Sequence, residues 1–196
     1  FTKNVLTAIG HFAMEDNRKA GHYISLFSKF THLTLENSDK NYNKLENELN
    51  YIETYLSLEK MRFDKRLEYT VSVGENVDVS VLIPAMALHT YCDNAIRHGI
   101  VNKSGEGNLH VTINKTDDGV SIQITDNGIG RKRSAELGTH GNQTGLQLIQ
   151  QQLDFYNRLN DQWIVQTITD LEDADGKSLG TTVELYIPDG YRFTVD

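Results

Sequence analysis

The sequence predicts an α+β protein: a two-layer α/β sandwich preceded by an N-terminal helical hairpin. Three observations carry that expectation. The first sixty residues hold no Pro and only two Gly, Gly10 and Gly21, and their apolar residues recur three or four apart. From Leu67 the apolar period becomes two, as in a half-buried strand. Thereafter alternating stretches and helical stretches are interspersed, and two pairs of the former are close enough to be joined by tight turns. At 196 residues the chain is long enough for one substantial core and an appended element.

The elements follow in order. Tyr23, Phe27, Phe30 and Thr31 mark one face of a helix that ends near the polar stretch Glu36 to Asn43. Leu45, Leu49, Ile52, Leu56, Glu59 and Phe63 form a stripe along a second helix near 44–63. Two helices and a short polar loop make a hairpin with apolar faces to bury. Leu67, Tyr69, Val71 and Val73 alternate as a strand, and Pro84 suits the first turn of a helix reaching His98. Leu109, Val111 and Ile113 pair with Val120, Ile122 and Ile124 across the Asp117–Gly119 turn. A helix spans Gly145 to Leu159, and strands near 163–170 and 181–187 meet at a turn at Asp175–Gly176. The expected organisation is a helical region over 1–65, a sandwich over 66–190 and a tail over 191–196.

Charge and composition narrow the function. The net charge is −8, with Lys and Arg spread along the chain; Arg131, Lys132 and Arg133 form its one tight basic cluster. Direct binding of nucleic acid calls for the opposite balance. Cys92 is the single cysteine, which excludes an internal disulfide and suits a reducing compartment. No apolar run approaches the roughly 18 residues that cross a bilayer. The first residue is Phe1, so the sequence reads as a fragment whose membrane segments, if present, lie upstream. No cysteine pair exists and no two His stand four apart, the usual spacings of a zinc site. Gly176-Lys177-Ser178 is similar to the end of a phosphate-binding loop, yet it falls between two strands and reads as a hairpin turn.

Four short motifs carry chemistry. Asp93-Asn94-Ala95-Ile96-Arg97-His98-Gly99 ends a helix; an Asn carbonyl there suits one position on Mg²⁺, although Asn94 alone equally reads as a bridging core residue. Asp126-Asn127-Gly128-Ile129-Gly130 follows a strand. A carboxylate at a strand end can accept a hydrogen bond from an exocyclic amine such as that of adenine, and Gly128 and Gly130 let backbone approach a ligand. Gln143-Thr144-Gly145-Leu146 opens a helix whose free N–H groups suit phosphates. The polar stretch Arg131 to Thr144 before it reads as a lid. Gly180-Thr181 enters the last strand, where Thr181 would support the adenine site.

The order of these motifs resembles the nucleotide-binding fold shared by histidine kinases, gyrase, Hsp90 and MutL. Within that group the sequence most resembles the LytS-like sensor histidine kinases of the Bacteroidetes type. The stretches that carry the resemblance are Phe27 to Ser38, Leu45 to Phe63, Ile83-Pro84, Asp93 to Ile100, Asp126 to Leu137, Asp170 to Thr181 and Ile187-Pro188.

The resemblance implies a protein histidine kinase that binds ATP and Mg²⁺ and passes the γ-phosphate to a histidine and on to a response regulator. It implies Asp93 and Asn94 as catalytic residues, with Asn94 on Mg²⁺. It implies Arg97, His98, Asp126, Gly128, Gly130, Thr144, Gly145, Leu146 and Thr181 around the nucleotide. Phe1, Asn4, Leu6 and Ile9 match the stretch after the accepting histidine, which would lie just before Phe1. The resemblance further implies a homodimer, a LytR-type response regulator as partner, and a cytoplasmic domain tethered to the inner membrane by upstream segments. Asp93 stands where the family has Glu, His89-Thr90 replaces Gln-Pro, and Gln152 replaces an Arg. The alternative is a degraded kinase kept as an ATP-binding dimerisation and signalling module.

Overall fold

Helix formation at the N-terminus follows the apolar spacing but breaks once more than the sequence suggests. A computed structural model describes residues 2–138 and 144–193. Helices α1 (Thr2–Glu15) and α2 (Asn17–Asn37) are separate. Asp16 between them is extended (φ −153°, ψ 100°), and its carboxylate accepts the N–H groups of Arg18 and Lys19 at 2.9 and 3.3 Å. This is an N-cap, which satisfies donors that a new helix leaves unpaired. The helical region therefore holds the expected hairpin, α2 and α3 (Leu45–Phe63), with a further helix, α1, ahead of it. Helix α3 buries Leu45, Ile52, Leu56 and Leu58 together with Tyr51 and Tyr55.

A two-stranded sheet brackets α3 in the sequence. β1 (Tyr42–Lys44) pairs antiparallel with β3 (Leu82–Pro84), with Tyr42 opposite Pro84. Pro84 thus ends a strand and does not open a helix. Asn41 O accepts the N–H of Ala85 at 3.1 Å, which keeps the chain extended past Pro84. Met86 then turns with φ 63°, and α4 (Ala87–Asn94) begins after it. The expected run to His98 is present but changes pitch: Ala95–Ile100 is a π-helical turn, a widening common at functional sites.

The main sheet has the order β2–β4–β5–β7–β6. β2 (Leu67–Val73) is parallel to β4 (Gly107–Lys115), and β5 (Gly119–Asp126), β6 (Val165–Glu172) and β7 (Ser178–Pro188) continue antiparallel. The stretch expected to be an irregular lid begins with a short helix, α5 (Gly130–Glu136), and α6 (Thr144–Asn157) follows it. One continuous apolar cluster joins the sheet residues Val111, Ile122 and Leu185 to Leu88 and Ile96 of the α4 region and to Leu56 of α3. Phe193 belongs to it as well, its ring 5.0 Å from those of Tyr156 and Tyr191. The stretch expected as a tail therefore contributes to the core as far as Phe193. No described helix is long and apolar enough to cross a membrane.

Candidate functional site

The register of the sheet and the pitch of α4 build one cavity. Asp126 is opposite Thr181, and Ile124 is opposite Val183, so the C-terminal end of β5 and the start of β7 share a floor. Residues of α4 and its π turn stand over that floor on one face: Tyr91, Asn94, Ala95 and His98, spaced as a helix spaces neighbours. Leu146 of α6 closes a further side. The cavity has a volume of about 430 Å³.

Asp126 lies at the bottom of this cavity, 6% exposed. Its Oδ1 accepts the Gly128 N–H at 2.7 Å. Burial outweighs that hydrogen bond and the attraction of Lys103, and pushes the carboxyl pKa up from 3.8 to about 6. Two glycines make room for it. A Cβ on Gly128 would lie 2.4 Å from Gly99 Cα, and one on Gly99 would lie 2.8 Å from Asp126 Oδ1. The backbones of the two motifs therefore touch directly, and Gly99 O accepts the Ile129 N–H at 3.2 Å.

Asn94 ends α4 and lines the cavity. Its side-chain nitrogen is buried and meets no hydrogen-bond partner among the described residues. His98, Gly130, Leu146 and Thr181 also line the cavity. Gly145 lies in the first turn of α6, where a Cβ would come within 3.0 Å of Thr90 Cγ2. Thr144 opens α6, and its side chain, like residues 139–143 of the expected lid, lies outside the described residues.

Asp93 and Arg97 are not brought into the cavity. They occupy the other side of the helix, a consequence of the same 3.6-residue period that sends Asn94 inward. Asp93 Oδ1 accepts the Tyr55 hydroxyl at 2.8 Å, and its Oδ2 faces Arg97 Nη1 at 3.3 Å. The basic cluster is likewise engaged: Arg131 makes a bidentate pair with Asp170 at 2.7 and 2.8 Å, Lys132 pairs with Glu172, and Arg133 with Glu136.

Sequence reasoning missed three contributors. Gly99 was visible only as the end of a motif. Tyr91, three residues before Asn94, was available from helical period. Its hydroxyl donates to Gln166 Oε1 at 2.6 Å across the cavity, a partner 75 residues away that no local pattern reveals. Chemically, the site offers one buried acceptor, one unsatisfied amide and an apolar floor, the composition of a pocket for a flat heteroaromatic ligand with a polar edge.

Comparisons with known proteins give the family and the fold. The model of the histidine kinase-, DNA gyrase B-, and HSP90-like ATPase family matches residues 84–190, more than half of the chain. The histidine kinase family model matches residues 1–67. Sensor protein LytS of Staphylococcus saprophyticus is 29% identical over 130 residues, covering 66% of this chain and 22% of that protein. Sensor protein LytS of Streptococcus mutans is 26% identical over 196 residues, covering 96% of this chain and 32% of that protein. The chain thus spans about a fifth to a third of the length of these relatives. Among solved structures, the nucleotide-free catalytic domain of histidine kinase ThkA is similar with a TM-score of 0.51 at 15% identity, covering 76% of this chain and 98% of that one. That likeness is one of fold.

Proposed function

The chain belongs to the histidine kinase-, DNA gyrase B-, and HSP90-like ATPase family, and we propose that it is the Mg-ATP-binding catalytic part of a sensor histidine kinase. The observation that carries this reading is Asp126, an acceptor buried at the bottom of the cavity and flanked by backbone instead of side chains. A carboxylate so placed accepts the exocyclic amine of adenine, and with a pKa of about 6 it is ionised at neutral pH. Thr181, its neighbour across the sheet, supports the same edge.

The residues present fit the nucleotide at its other end too. Asn94 lines the cavity, and its side-chain oxygen would be the atom on Mg²⁺; Gly145 and Leu146 sit where the first turn of α6 offers free N–H groups. Gly130 would shape the cavity it lines, and Gly128 lets the Asp126 motif pack on Gly99. ATP, when bound, supplies a phosphoryl group for transfer to a histidine; positioning and charge neutralisation supply most of the catalysis in such transfers. In this reading the accepting histidine precedes Phe1 in a homodimer, the next acceptor is a LytR-type response regulator, and the whole is the cytoplasmic part of an inner-membrane protein.

A second reading is favoured by one observation. Asp93, expected as a catalytic residue, and Arg97, expected near the phosphates, face away from the cavity; they pair with each other, and Asp93 accepts the Tyr55 hydroxyl. That supports an ATP-binding signalling module without phosphotransfer. Calorimetric titration of Mg-ATP into this chain and into Asp126→Asn tests what the two readings share. Binding in the parent and its loss in the variant is the expected result, and no binding at millimolar nucleotide refutes both. Acid-labile phosphate on a chain extended upstream of Phe1 then separates kinase from module.

A further inference from the structure

Helix α4 presents two faces to two different surroundings. Tyr91, Asn94, Ala95 and His98 line the cavity. On the opposite side, His89 and Asp93, one turn apart, meet the helical region. The His89 ring packs among Phe30, Tyr51 and Tyr55, with centroids 6.0, 5.1 and 4.7 Å away. Burial lowers its pKa to about 4, so at neutral pH it is an uncharged ring in an aromatic cage. Asp93 accepts the Tyr55 hydroxyl at 2.8 Å. Tyr55 is 1% exposed; burial first, and the Asp93 charge second, push its own pKa well up, so the phenol keeps its proton and donates.

A second contact from the same helix holds the other end of α4. Glu48 Oε1 accepts the Met86 N–H at 3.0 Å, immediately before α4 begins. Glu48 and Tyr55 are seven residues apart, on one face of α3. α3 thus grips α4 at both termini, and the C-terminal grip falls on the residue adjacent to Asn94.

We propose that Tyr55 is a positioning residue: through Asp93 it fixes the rotation of α4 at its junction with the π turn and so aims Asn94 into the cavity. The helical region and the site are thereby mechanically coupled, with the Tyr55 hydroxyl as the contact at the Asn94 end. The consequence for ligand affinity rests on the Mg-ATP reading above; the positioning itself does not.

Amide hydrogen exchange on the nucleotide-free chain tests the positioning directly. Tyr55→Phe removes the hydroxyl and keeps the ring in the His89 cage. Exchange over residues 94–100 should accelerate by about tenfold, because local opening is governed by the contacts a segment keeps. Tyr51→Phe is the control: it removes a hydroxyl from the same helix that bonds Thr34 Oγ1 at 2.9 Å instead of α4, and should leave 94–100 at the parent rate. The proposal fails if Tyr55→Phe leaves that segment unchanged, or if Tyr51→Phe accelerates it equally. Titration of ATP with and without Mg²⁺ then reads the consequence: Tyr55→Phe should weaken binding several-fold with Mg²⁺ and leave Mg²⁺-free binding as in the parent. A parent chain that binds no ATP refutes the nucleotide reading, while the exchange rates still decide the role of Tyr55.

Discussion

Replacing Asp126 by Asn should stabilise this protein while destroying its proposed binding function. The magnitude follows from burial. The carboxyl pKa rises from 3.8 to about 6 on folding, and each unit is about 1.36 kcal/mol of linkage. The shift of roughly two units therefore corresponds to about 3 kcal/mol. Because the folded pKa is the higher one, the contribution of Asp126 to stability is fully present below pH 4 and is lost as pH rises through 6. Asn carries no charge, keeps the side-chain shape and still accepts the Gly128 N–H, so its contribution is flat with pH. Urea unfolding of parent and variant should coincide near pH 3.5, diverge between pH 4 and 6, and differ by up to about 3 kcal/mol at pH 8, the variant being the more stable. Glu48 also titrates with a raised pKa, near 7, but it does so in both proteins and cancels in the difference. Over the same range, ATP affinity of the parent should fall as pH drops below 6. A variant no more stable than the parent at pH 8 would refute the claim that Asp126 is held ionised against its burial.

Three further perturbations test other parts of the argument. Glu48→Gln should raise urea stability at pH 8 more than at pH 5, since burial lifts the Glu48 pKa from 4.5 to about 7 and its stabilising protonated form is lost above that. Gly180→Ala should destabilise by at least about 2 kcal/mol in the same assay, because Gly180 has φ 136° and an added Cβ would lie 1.9 Å from the Asp126 carbonyl oxygen. Asp16→Ala should cost about 1 kcal/mol through loss of the α2 cap, with ATP binding unchanged; a loss near zero would mean that α1 and α2 form one helix in solution.

What was legible in the sequence was whatever an apolar period or a fixed motif order encodes. The stripe from Leu45 to Phe63, the alternation in β2, the β4–β5 pair and the β6–β7 hairpin all write their burial into spacing. The start of α4 did not, because Pro84 is equally suited to a helix start and a strand end, and the pairing with Tyr42 that decides between them is remote. The restart at Asp16 was hidden for a different reason: one capping carboxylate interrupts a helical pattern without changing its composition. α5 escaped notice since its buried residues are Gly130 and Ser134, with no apolar stripe. In the site, Asp126, Asn94 and Thr181 were readable from motif order and share the cavity. Asp93 and Arg97 stood in the same motif, yet the helical period turns them to the other side, and nothing in a contiguous string of seven residues says which face will be covered by α3.

The contact between Gly99 and Gly128 has a consequence for how this sequence can change. In an ordinary core, a residue that grows can be accommodated by a neighbour that shrinks, so two-step substitutions open routes through sequence space. Here both neighbours are already the smallest residue, and a Cβ on Gly128 would meet Gly99 Cα at 2.4 Å. On the Gly128 side no smaller partner exists, whereas on the Gly99 side the close neighbour of an added Cβ is the Asp126 carboxylate at 2.8 Å, which the proposed binding requires. A library randomised at positions 99, 126 and 128 should return glycine at 128 under selection for folding alone, and at 99 admit a larger residue only where Asp126 has changed as well.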